Sequence, residues 1–443
     1  MRKKILAIIL AISMMVAGTF TMSGCELFEG LFGGFTEQTP SGDVTDPDGE
    51  KDPDGEKDPD GEKDPDGEKD PDGEKDPDGE KDPDGGEDEP IGPPPEGLVI
   101  GEESEISASD LSIHFINYNS YQAGDCTLIK MGDTEVLIDA GAIQSSAGPI
   151  KKYIDQYCTD GKLEYVIATH AHQDHIAGLV GTSSGGKYNG ILYSYEIGTI
   201  ITFAKSDVSL TTSTGNPSLY AKFLTAVDSA VEKGAKAYTA KQCWEETDGA
   251  SKTYYLDEDQ TVSMNILYNY YYDNSSSDEN NYSVCMLLTQ ELGGGYEYNY
   301  LFTGDLEEKG EKYLVEYNQL PEVELFKAGH HGSPTSSNDC LLSVIKPKHV
   351  AICCCAGSDE YTKNPENMFP SQAFIDRISK YTDSVYCINV IVNNTGHSYE
   401  PMNGDIVFYM LERQLKLWCS NNTTKLKDTV WFAENRRGWG VGE

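Results

Sequence analysis

Over seven residues the chain reads Thr169-His170-Ala171-His172-Gln173-Asp174-His175, its densest group of potential metal ligands. Three imidazoles and one carboxylate fall within six residues, after a β-rich run at 163–168 and at the start of a predicted helix at 174–180. Neutral imidazole nitrogens and carboxylate oxygens are the ligands that zinc-like divalent metals prefer. Because clustered histidines repel one another when charged, such a group has little structural use without a cation. The stretch therefore predicts a metal site that follows a strand and opens a helix.

Around this stretch, short apolar runs alternate with turn residues and with segments of helical spacing. The apolar runs predict strands at residues 111–118, 126–131, 135–138, 163–168, 261–268, 283–290, 298–302, 323–327, 350–356, 385–392 and 405–409. Helical spacing predicts helices at residues 148–157, 174–180, 216–233, 306–318 and 371–381. This mixture favours a single domain, residues 98–443, in which helices cover sheets.

Three further segments place polar residues directly after predicted strands. They are Asp139-Ala140-Gly141, Gly304-Asp305 and His330-His331-Gly332-Ser333. Together with the first histidine cluster, written His-x-His-x-Asp-His, they resemble the ordered motifs of the metallo-β-lactamase superfamily. The His-His-Gly-Ser segment resembles the ComEC-type branch, which includes hydrolase domains of DNA-uptake proteins and related phosphodiesterases. The resemblance covers residues 110–409 and implies an α/β (α+β) fold, a four-layer αβ/βα sandwich with metals at one edge between the sheets.

The resemblance also implies a set of metal ligands for one or two divalent ions, zinc or alternatively manganese. His170 and His172 would bind the first metal, and Asp174 and His175 the second. Asp305 would bridge the two metals, because one carboxylate can serve two cations. Of the next histidine pair, the one that precedes the glycine would complete the second site, and that residue is His331.

Four residues are implied to act beside or behind the metals. Asp174 would orient the nucleophile, and His330 would contact the substrate or a developing oxyanion. Asp139 would hold a ligand imidazole in place, although it could equally be a residue that closes a turn. Lys327 would offset negative charge on a phosphoryl group, the alternative being a solvated lysine at the end of a strand.

Two departures from the family pattern affect the metal site and the substrate contacts. The chain has no histidine between His175 and His330, where many members carry a further ligand of the first metal. The second site is therefore the better furnished one, and segment 273–283, with Asn280 and Asn281, is a candidate contributor. Before Pro370-Ser371, where related sequences often have histidine, this chain has Phe369.

The cysteines carry little functional information. Eleven are present without a C-x-x-C pair, and three of them, Cys353 to Cys355, fall in one apolar run. Alternate residues of a strand share a face, so Cys353 and Cys355 would point the same way. We expect small buried hydrophobes there, with a thiolate metal site as the alternative.

The N-terminal region predicts export and anchoring. Residues 1–24 combine a basic start with a short apolar run, which is typical of a signal peptide. The sequence Met22-Ser23-Gly24-Cys25 resembles a lipobox and implies lipid attachment at Cys25. The lipidated protein would then lie outside the cytoplasm on the cell membrane, which is its expected partner.

Residues 25–97 predict an acidic tether. Asp-Pro-Asp-Gly recurs every six residues from Asp46 to Asp82, and residues 43–89 contain 24 acidic residues and six lysines, a net charge of −18 in a chain of −40. The repeat itself has no apolar residue, so it cannot bury a core and is expected to stay disordered, with its like charges extending the chain. Calcium binding is the alternative, but the later ligands of an EF-hand loop do not follow in register.

These features predict a surface-anchored hydrolase that uses a metal-activated water on phosphodiester or related ester bonds. The alternatives are a β-lactam or acyl-ester hydrolase and a non-catalytic metal-binding lipoprotein. The acidic composition disfavours long duplex DNA as a substrate, whereas the ComEC-type resemblance favours nucleic acid. No motif indicates a protein partner.

Overall fold

The computed structural model describes residues 91–182 and 189–439. The expected signal peptide, the lipidation site at Cys25 and the tether up to residue 90 lie outside the described residues. Among the residues that are described, no helix is both long and apolar enough to cross a bilayer.

The first sheet has nine strands in the order β1-β17-β16-β2-β3-β4-β5-β6-β7. Its strands are β1 (Val99–Ile100), β2 (Leu111–Phe115), β3 (Thr127–Met131), β4 (Thr134–Ile138), β5 (Lys162–Ile167), β6 (Glu196–Thr202), β7 (Lys236–Thr239), β16 (Ile406–Leu411) and β17 (Gln414–Cys419). Strands β4 to β7 run parallel, whereas β17, β16, β2, β3 and β4 pair antiparallel. The parallel half therefore carries several strand ends, including that of β5, at one edge.

The second sheet has eight strands in the order β15-β14-β13-β12-β11-β10-β9-β8. Its strands are β8 (Thr253–Tyr255), β9 (Val262–Ile266), β10 (Met286–Glu291), β11 (Glu297–Phe302), β12 (Leu325–Lys327), β13 (His349–Ala356), β14 (Val385–Asn393) and β15 (Ser398–Pro401). Strands β11 to β14 are parallel. The loops after β11 and β12 therefore leave the sheet on the same side.

Ten α-helices lie among the described residues. They are α1 (Glu103–Ile106), α2 (Ala147–Ile154), α3 (Gln173–Val180), α4 (Ile191–Ser194), α5 (Leu219–Lys233), α6 (Ala240–Glu245), α7 (Glu308–Tyr317), α8 (Asp339–Ile345), α9 (Gln372–Ile378) and α10 (Val430–Asn435). The longest, α5, begins at Ser218, whose side chain caps Ala221 N, and ends at Gly234 in a left-handed conformation.

The core shows how the layers stack. Ala351 and Cys353 of β13 belong to the larger apolar cluster, which also contains side chains of the first sheet and of α2, α3 and α5. Their neighbours Val350 and Ile352 belong to a second cluster with side chains of α7, α8 and α9. Successive residues of a strand point to opposite faces, so the second sheet packs on the first sheet on one side and on helices on the other. The predicted α/β fold with two sheets covered by helices is confirmed.

The predicted strands and helices are found, but the first sheet extends beyond the predicted limit at residue 409. Strand β17 pairs with the whole of β16, and β1 adds to β17 in parallel. The hairpin between β16 and β17 turns at Glu412 and Arg413, with φ of 52° and 61°. Such turns usually carry Asn or Gly, so the sequence gives no turn signal here. The pattern of apolar residues also missed five other strands, which are β1, β6, β7, β8 and β15.

The three adjacent cysteines are buried and free. The Sγ atoms of Cys354 and Cys387 lie 3.6 Å apart, on β13 and β14. Burial raises the pKa of Cys353 and Cys354 well above the usual value, so both thiols stay protonated. None of the candidate metal-ligating groups among the described residues includes Cys353, Cys354 or Cys355, which favours the expected role as small hydrophobes.

A buried histidine of the core predicts acid sensitivity. His114 on β2 is fully buried between Tyr153 Oη (2.9 Å) and Ser112 Oγ (2.8 Å), and burial lowers its pKa to about 3. The neutral ring stabilises the fold above the unfolded-state pKa of about 6.5, and this stability is lost as the pH falls from 6.5 towards 3. His114→Gln should therefore lose about 2 kcal/mol less unfolding free energy between pH 7.5 and pH 5 than the wild type, measured by urea unfolding. His397→Gln, on an exposed hairpin, is the matched control and should keep the wild-type loss; an unchanged loss in His114→Gln would contradict the prediction.

Candidate metal centre

The loops that follow β5, β11 and β12 bring the predicted site residues together. His172 precedes α3 in an extended conformation, so Asp174 and His175 lie in the first turn of that helix. Gly304 has φ +54°, and a Cβ there would lie 2.8 Å from Ser283 Oγ, which explains the glycine before Asp305. After β12, His330 and His331 are both left-handed, with φ 48° and 56°. Two consecutive strained residues of this kind persist only where the surroundings hold them.

Four of the predicted ligands form one compact group, which consists of Asp174, His175, Asp305 and His331. Their donor atoms all lie within 4.8 Å of one another. Asp305 Oδ2 is 3.0 Å from His175 Nε2 and 3.3 Å from His331 Nε2, and Asp174 Oδ2 is 3.4 Å from His331 Nε2. Donors about 2.1 Å from a tetrahedral metal lie roughly 3.4 Å from each other. The spacing therefore fits a zinc-like divalent ion.

The chemistry of the donors fits such an ion as well. His331 Nε2 and Asp305 Oδ1 are buried and have no hydrogen-bond partner. Buried polar atoms without partners are rare and costly, and a cation would satisfy both. The group thus fits a divalent metal, and it is the four-residue set that the sequence predicts to be the better furnished of the two sites.

The other two predicted ligands lie beside this group. His170 is buried, with its ring 4.1 Å from the His175 ring, and its Nε2 is 3.0 Å from His172 Nδ1. Its Nδ1 faces Thr169 Oγ1 at 3.2 Å and Ser283 Oγ at 3.5 Å. Segment 273–283 therefore reaches the centre through Ser283, not through Asn280 or Asn281. The predicted first metal would therefore have the imidazoles of His170 and His172 and could share only Asp305 with the second metal. This site has fewer ligands than the four-residue group.

Asp139 supports His175 from behind. Its carboxylate lies 2.7 Å from His175 Nδ1 and accepts hydrogen bonds from Thr169 N (2.8 Å) and Thr169 Oγ1 (2.7 Å). His175 Nδ1 is thereby occupied, which leaves Nε2 to face the group. Asp139 also has φ +58°, directly after β4. The residue therefore both turns the chain and orients an imidazole.

Asp125 lies behind His331 as an ion-pair partner, and sequence reasoning missed it. Asp125 Oδ1 lies 3.1 Å from His331 Nδ1, and the backbone N–H of Asp125 donates to Asp174 O at 3.1 Å. The only signal in the sequence is one acidic residue in the otherwise apolar stretch Ala123-Gly124-Asp125-Cys126. A lone acid of this kind does not stand out without the fold.

Lys327 corrects one expectation. It is not a solvated strand end: it is 3% exposed, because β12 is a central strand covered on both faces. Its ammonium pairs with Asp125, donates to Gly304 O at 3.3 Å and lies 3.7 Å from Asp305 Oδ1. Burial alone would lower the pKa of Lys327, but Asp125 and Asp305 raise it above the usual value, so the amine stays charged. It lies behind the ligands and does not face a substrate.

The electrostatics of the four-residue group are those of a metal-free centre. Burial would lower the pKa of His175 and His331, but Asp305 and the supporting carboxylates raise both well above the usual value. Burial would likewise raise the pKa of Asp305, but the two imidazoles lower it. Without a metal, two imidazolium ions therefore offset the carboxylates. Metal binding must displace these protons.

His330 faces outwards, unlike His331. Its side chain is 18% exposed, and its Nε2 lies 3.9 Å from Asp305 Oδ2. Its Nδ1 lies 3.3 Å from Thr335 Oγ1, and burial lowers its pKa, which favours a neutral ring. The ring also packs edge-on against Phe369, with centroids 5.8 Å apart. His330 is therefore placed at the mouth of the centre, where a substrate would arrive.

A second residue at this mouth was missed from the sequence. Tyr361, between β13 and α9, donates its hydroxyl to Asp174 Oδ2 at 2.7 Å. Burial of the hydroxyl end and the nearby carboxylates of Asp174 and Glu360 raise the pKa of Tyr361, so the phenol keeps its proton. Nothing in the sequence around Tyr361 sets it apart from the other 26 tyrosines.

Comparison with known families agrees with this geometry. The model of the metallo-beta-lactamase superfamily matches residues 121–230, which include Asp125, Asp139 and the whole histidine cluster. Residues 121–230 are thus similar to the metallo-β-lactamase superfamily. Asp305 and the His330-His331 pair lie beyond the matched residues.

Solved structures similar to this chain were also found. The metallo-beta-lactamase fold protein YhfI from Bacillus subtilis is 11% identical with a TM-score of 0.33, covering 63% of this chain and 96% of its own. The metallo hydrolase Igni18 from Ignicoccus hospitalis is 13% identical with a TM-score of 0.34, covering 62% and 95%. The short form of human tRNase Z is 12% identical with a TM-score of 0.28, covering 62% and 91%. Identities and TM-scores this low support no inference about the chemistry of this chain. No curated protein matches the chain.

Zinc titration tests the four-residue group. The metal-free protein should take up at least one equivalent of zinc tightly, and Asp305→Asn or His331→Ala should weaken that equivalent by more than about 100-fold, because each removes a ligand atom. His397→Ala, outside the centre, is the control and should bind as the wild type does. Isothermal titration against a competing chelator measures all four. Equal affinity in wild type and His331→Ala would contradict the assignment.

The buried ion pair behind the ligands makes a stability prediction. Lys327→Met should destabilise the metal-free domain by about 3–5 kcal/mol, because it leaves the Asp125 carboxylate buried without its cation. The double variant Lys327→Met with Asp125→Asn should recover most of that loss, because both charges are gone. Urea unfolding gives the values. If the double variant lost the sum of the unfolding free energies lost by Lys327→Met and by Asp125→Asn alone, the two side chains would not be coupled.

Proposed function

We propose that this chain is a metal-dependent hydrolase of phosphodiester or related ester bonds. The observation that carries the proposal is the compact group of two imidazoles and two carboxylates, with buried donor atoms that lack partners. It lies where the strand ends of both sheets meet, and the superfamily match covers the first half of it. A buried set of this composition is expensive to maintain unless it binds a cation.

When bound there, a divalent metal, which we propose to be zinc, activates water as a nucleophile and polarises the scissile group. The chain's own residues would do the remaining work. Asp174 and Asp305 would hold the ion, and Asp174 would orient the attacking water. In the hydrolysis, the water oxygen bonds to phosphorus, the ester P–O bond breaks, and a proton passes to the departing alkoxide or phenoxide.

His330 is the residue that we assign to substrate. Its exposed Nε2 lies on the outer side of Asp305, and its neutral ring can donate one hydrogen bond to a phosphoryl oxygen. Lys327 has no such role, because its ammonium is held by Asp125. The His-His-Gly-Ser sequence at this position supports phosphodiesters over β-lactams, through its resemblance to the ComEC-type branch.

The N-terminal sequence supports a location outside the cytoplasm. We propose that Cys25 is lipidated and that residues 25–97 hold the domain away from the membrane. With a net charge of −18 over residues 43–89, the tether repels nucleic acid and anionic lipid alike. Short phosphodiesters of low net charge are therefore favoured over long duplex DNA as substrates.

Hydrolysis of bis-p-nitrophenyl phosphate tests the function. The purified protein reconstituted with zinc or manganese should release p-nitrophenol, and Asp305→Asn should reduce the rate by more than about 100-fold. His330→Ala should lower the rate by about 10- to 100-fold while zinc stoichiometry stays at the wild-type value. His397→Ala is the active control.

A parallel assay with nitrocefin separates the alternative. Turnover of nitrocefin without phosphodiester cleavage would overturn the phosphodiester assignment in favour of β-lactam or acyl-ester hydrolysis. A wild type that binds zinc but turns over neither substrate, nor a panel of nucleotides and esters, would favour a non-catalytic metal-binding protein.

A further inference from the structure

Each buried ligand of the four-residue group has a partner that fixes it from outside the group. His175 Nδ1 lies against Asp139 at 2.7 Å, and His331 Nδ1 lies against Asp125 at 3.1 Å. The backbone N–H of Asp305 donates a hydrogen bond to Ser283 Oγ at 3.0 Å. The fourth ligand, Asp174, differs because its side chain is 16% exposed.

Asp174 also has a competing orientation available. It lies in the first turn of α3, where the helix dipole attracts a carboxylate towards the backbone N–H groups of the helix end, which the side chain of the cap residue His172 does not bind. A free Asp174 side chain could rotate towards those N–H groups or towards water. In either orientation it would leave the metal with three protein ligands.

The structure shows what holds Asp174 in place. Tyr361 Oη donates to Asp174 Oδ2 at 2.7 Å, and among the described residues it is the only hydroxyl bonded to that carboxylate. The ring of Tyr361 packs on the ring of Phe369, with centroids 5.2 Å apart, and Phe369 packs in turn on His331 at 6.2 Å. Although Tyr361 as a residue is 53% exposed, its hydroxyl end is turned into the centre.

The segment that carries Tyr361 is itself fixed to the body of the domain. Glu360 accepts hydrogen bonds from Ala123 N and Gln122 Nε2, both at 2.9 Å, in the loop that leads to Asp125. At the other end, Arg436 Nε donates to Pro370 O at 2.8 Å, and Gly357 N donates to Phe369 O at 2.8 Å. A loop anchored at both ends can hold a phenol in one position.

We propose that Tyr361 is a positioning residue of the metal centre, whose hydroxyl holds the Asp174 carboxylate in its metal-binding orientation. The proposal rests on the metal centre of the proposed function, and it adds the partner that the fourth ligand otherwise lacks. Hydrogen bonds of this kind behind metal ligands typically change metal affinity by about 10- to 100-fold. The hydroxyl of Tyr361 is therefore expected to determine how tightly the centre holds its ion.

The test is a double-mutant cycle read out as metal affinity, which does not require turnover. Zinc dissociation constants are measured against a competing chelator for wild type, Tyr361→Phe, Asp174→Ala and the double variant. Tyr361→Phe keeps the ring and its packing on Phe369 but removes the hydroxyl. Tyr255→Phe, on β8 with a similarly exposed ring, is the matched control.

We expect Tyr361→Phe to raise the zinc dissociation constant about tenfold or more. In the Asp174→Ala background the same substitution should change it less than about twofold, because the hydroxyl acts through that carboxylate. The visible spectrum of the Co²⁺-substituted protein should shift in Tyr361→Phe and stay unchanged in Tyr255→Phe. Urea unfolding of the metal-free Tyr361→Phe protein should match the wild type, which separates positioning from a general loss of structure.

Three results would overturn the proposal. They are wild-type zinc affinity in Tyr361→Phe, an equal loss in both backgrounds, or a loss of affinity that is matched by unfolding of the metal-free variant. Failure of the proposed function is seen separately, as a wild-type protein that binds no zinc or that binds zinc and hydrolyses nothing.

Discussion

The carboxylate of Asp305 is the charge around which this end of the domain is arranged. It is 1% exposed, and it lies within 3.3 Å of an imidazole nitrogen of both His175 and His331. A carboxylate buried this deeply would cost several kcal/mol without cationic partners. The glycine before it, the left-handed backbone at the second histidine pair and the acids behind the imidazoles all serve to bring such partners to this one position.

The sequence predicted the parts of the centre that are local. Four candidate ligands lie within six residues, and their spacing across a strand end and a helix start is enough to place them on one side. Asp305 and His331 were predicted as ligands from the resemblance in motif order, and the structure places both in the same group as Asp174 and His175. Asp125 and Tyr361 were missed, because each is a single polar residue in a loop. Only the packing of the two sheets brings them to the ligands that they contact.

For the fold, as for the centre, the sequence predicted the features that depend on local pattern and missed those that depend on packing between distant segments. Apolar runs locate most strands, since burial imposes that pattern directly. The final hairpin was missed because Glu412 and Arg413 adopt a turn that residues of their type seldom form. The burial of Lys327 was not predicted, because a lysine at the end of a strand is usually solvated. Its burial depends on β11 and β13 on either side and on the carboxylate of Asp125 across the sheets, none of which a local pattern shows.

The charges of the centre have a consequence for the order in which the domain folds and acquires metal. Four carboxylates lie near one ammonium and two protonated imidazoles. The carboxylates are those of Asp125, Asp139, Asp174 and Asp305, the ammonium is that of Lys327, and the imidazoles are those of His175 and His331. A divalent ion that enters as both imidazoles lose their protons leaves the net charge of the centre unchanged. The metal-free centre therefore carries the same net charge of −1 as the metal-bound centre, and no large excess of buried negative charge opposes the collapse of the chain. Small zinc domains remain unfolded until they are metallated, whereas this domain, with its own extensive apolar core, can complete its fold first and load its ion afterwards.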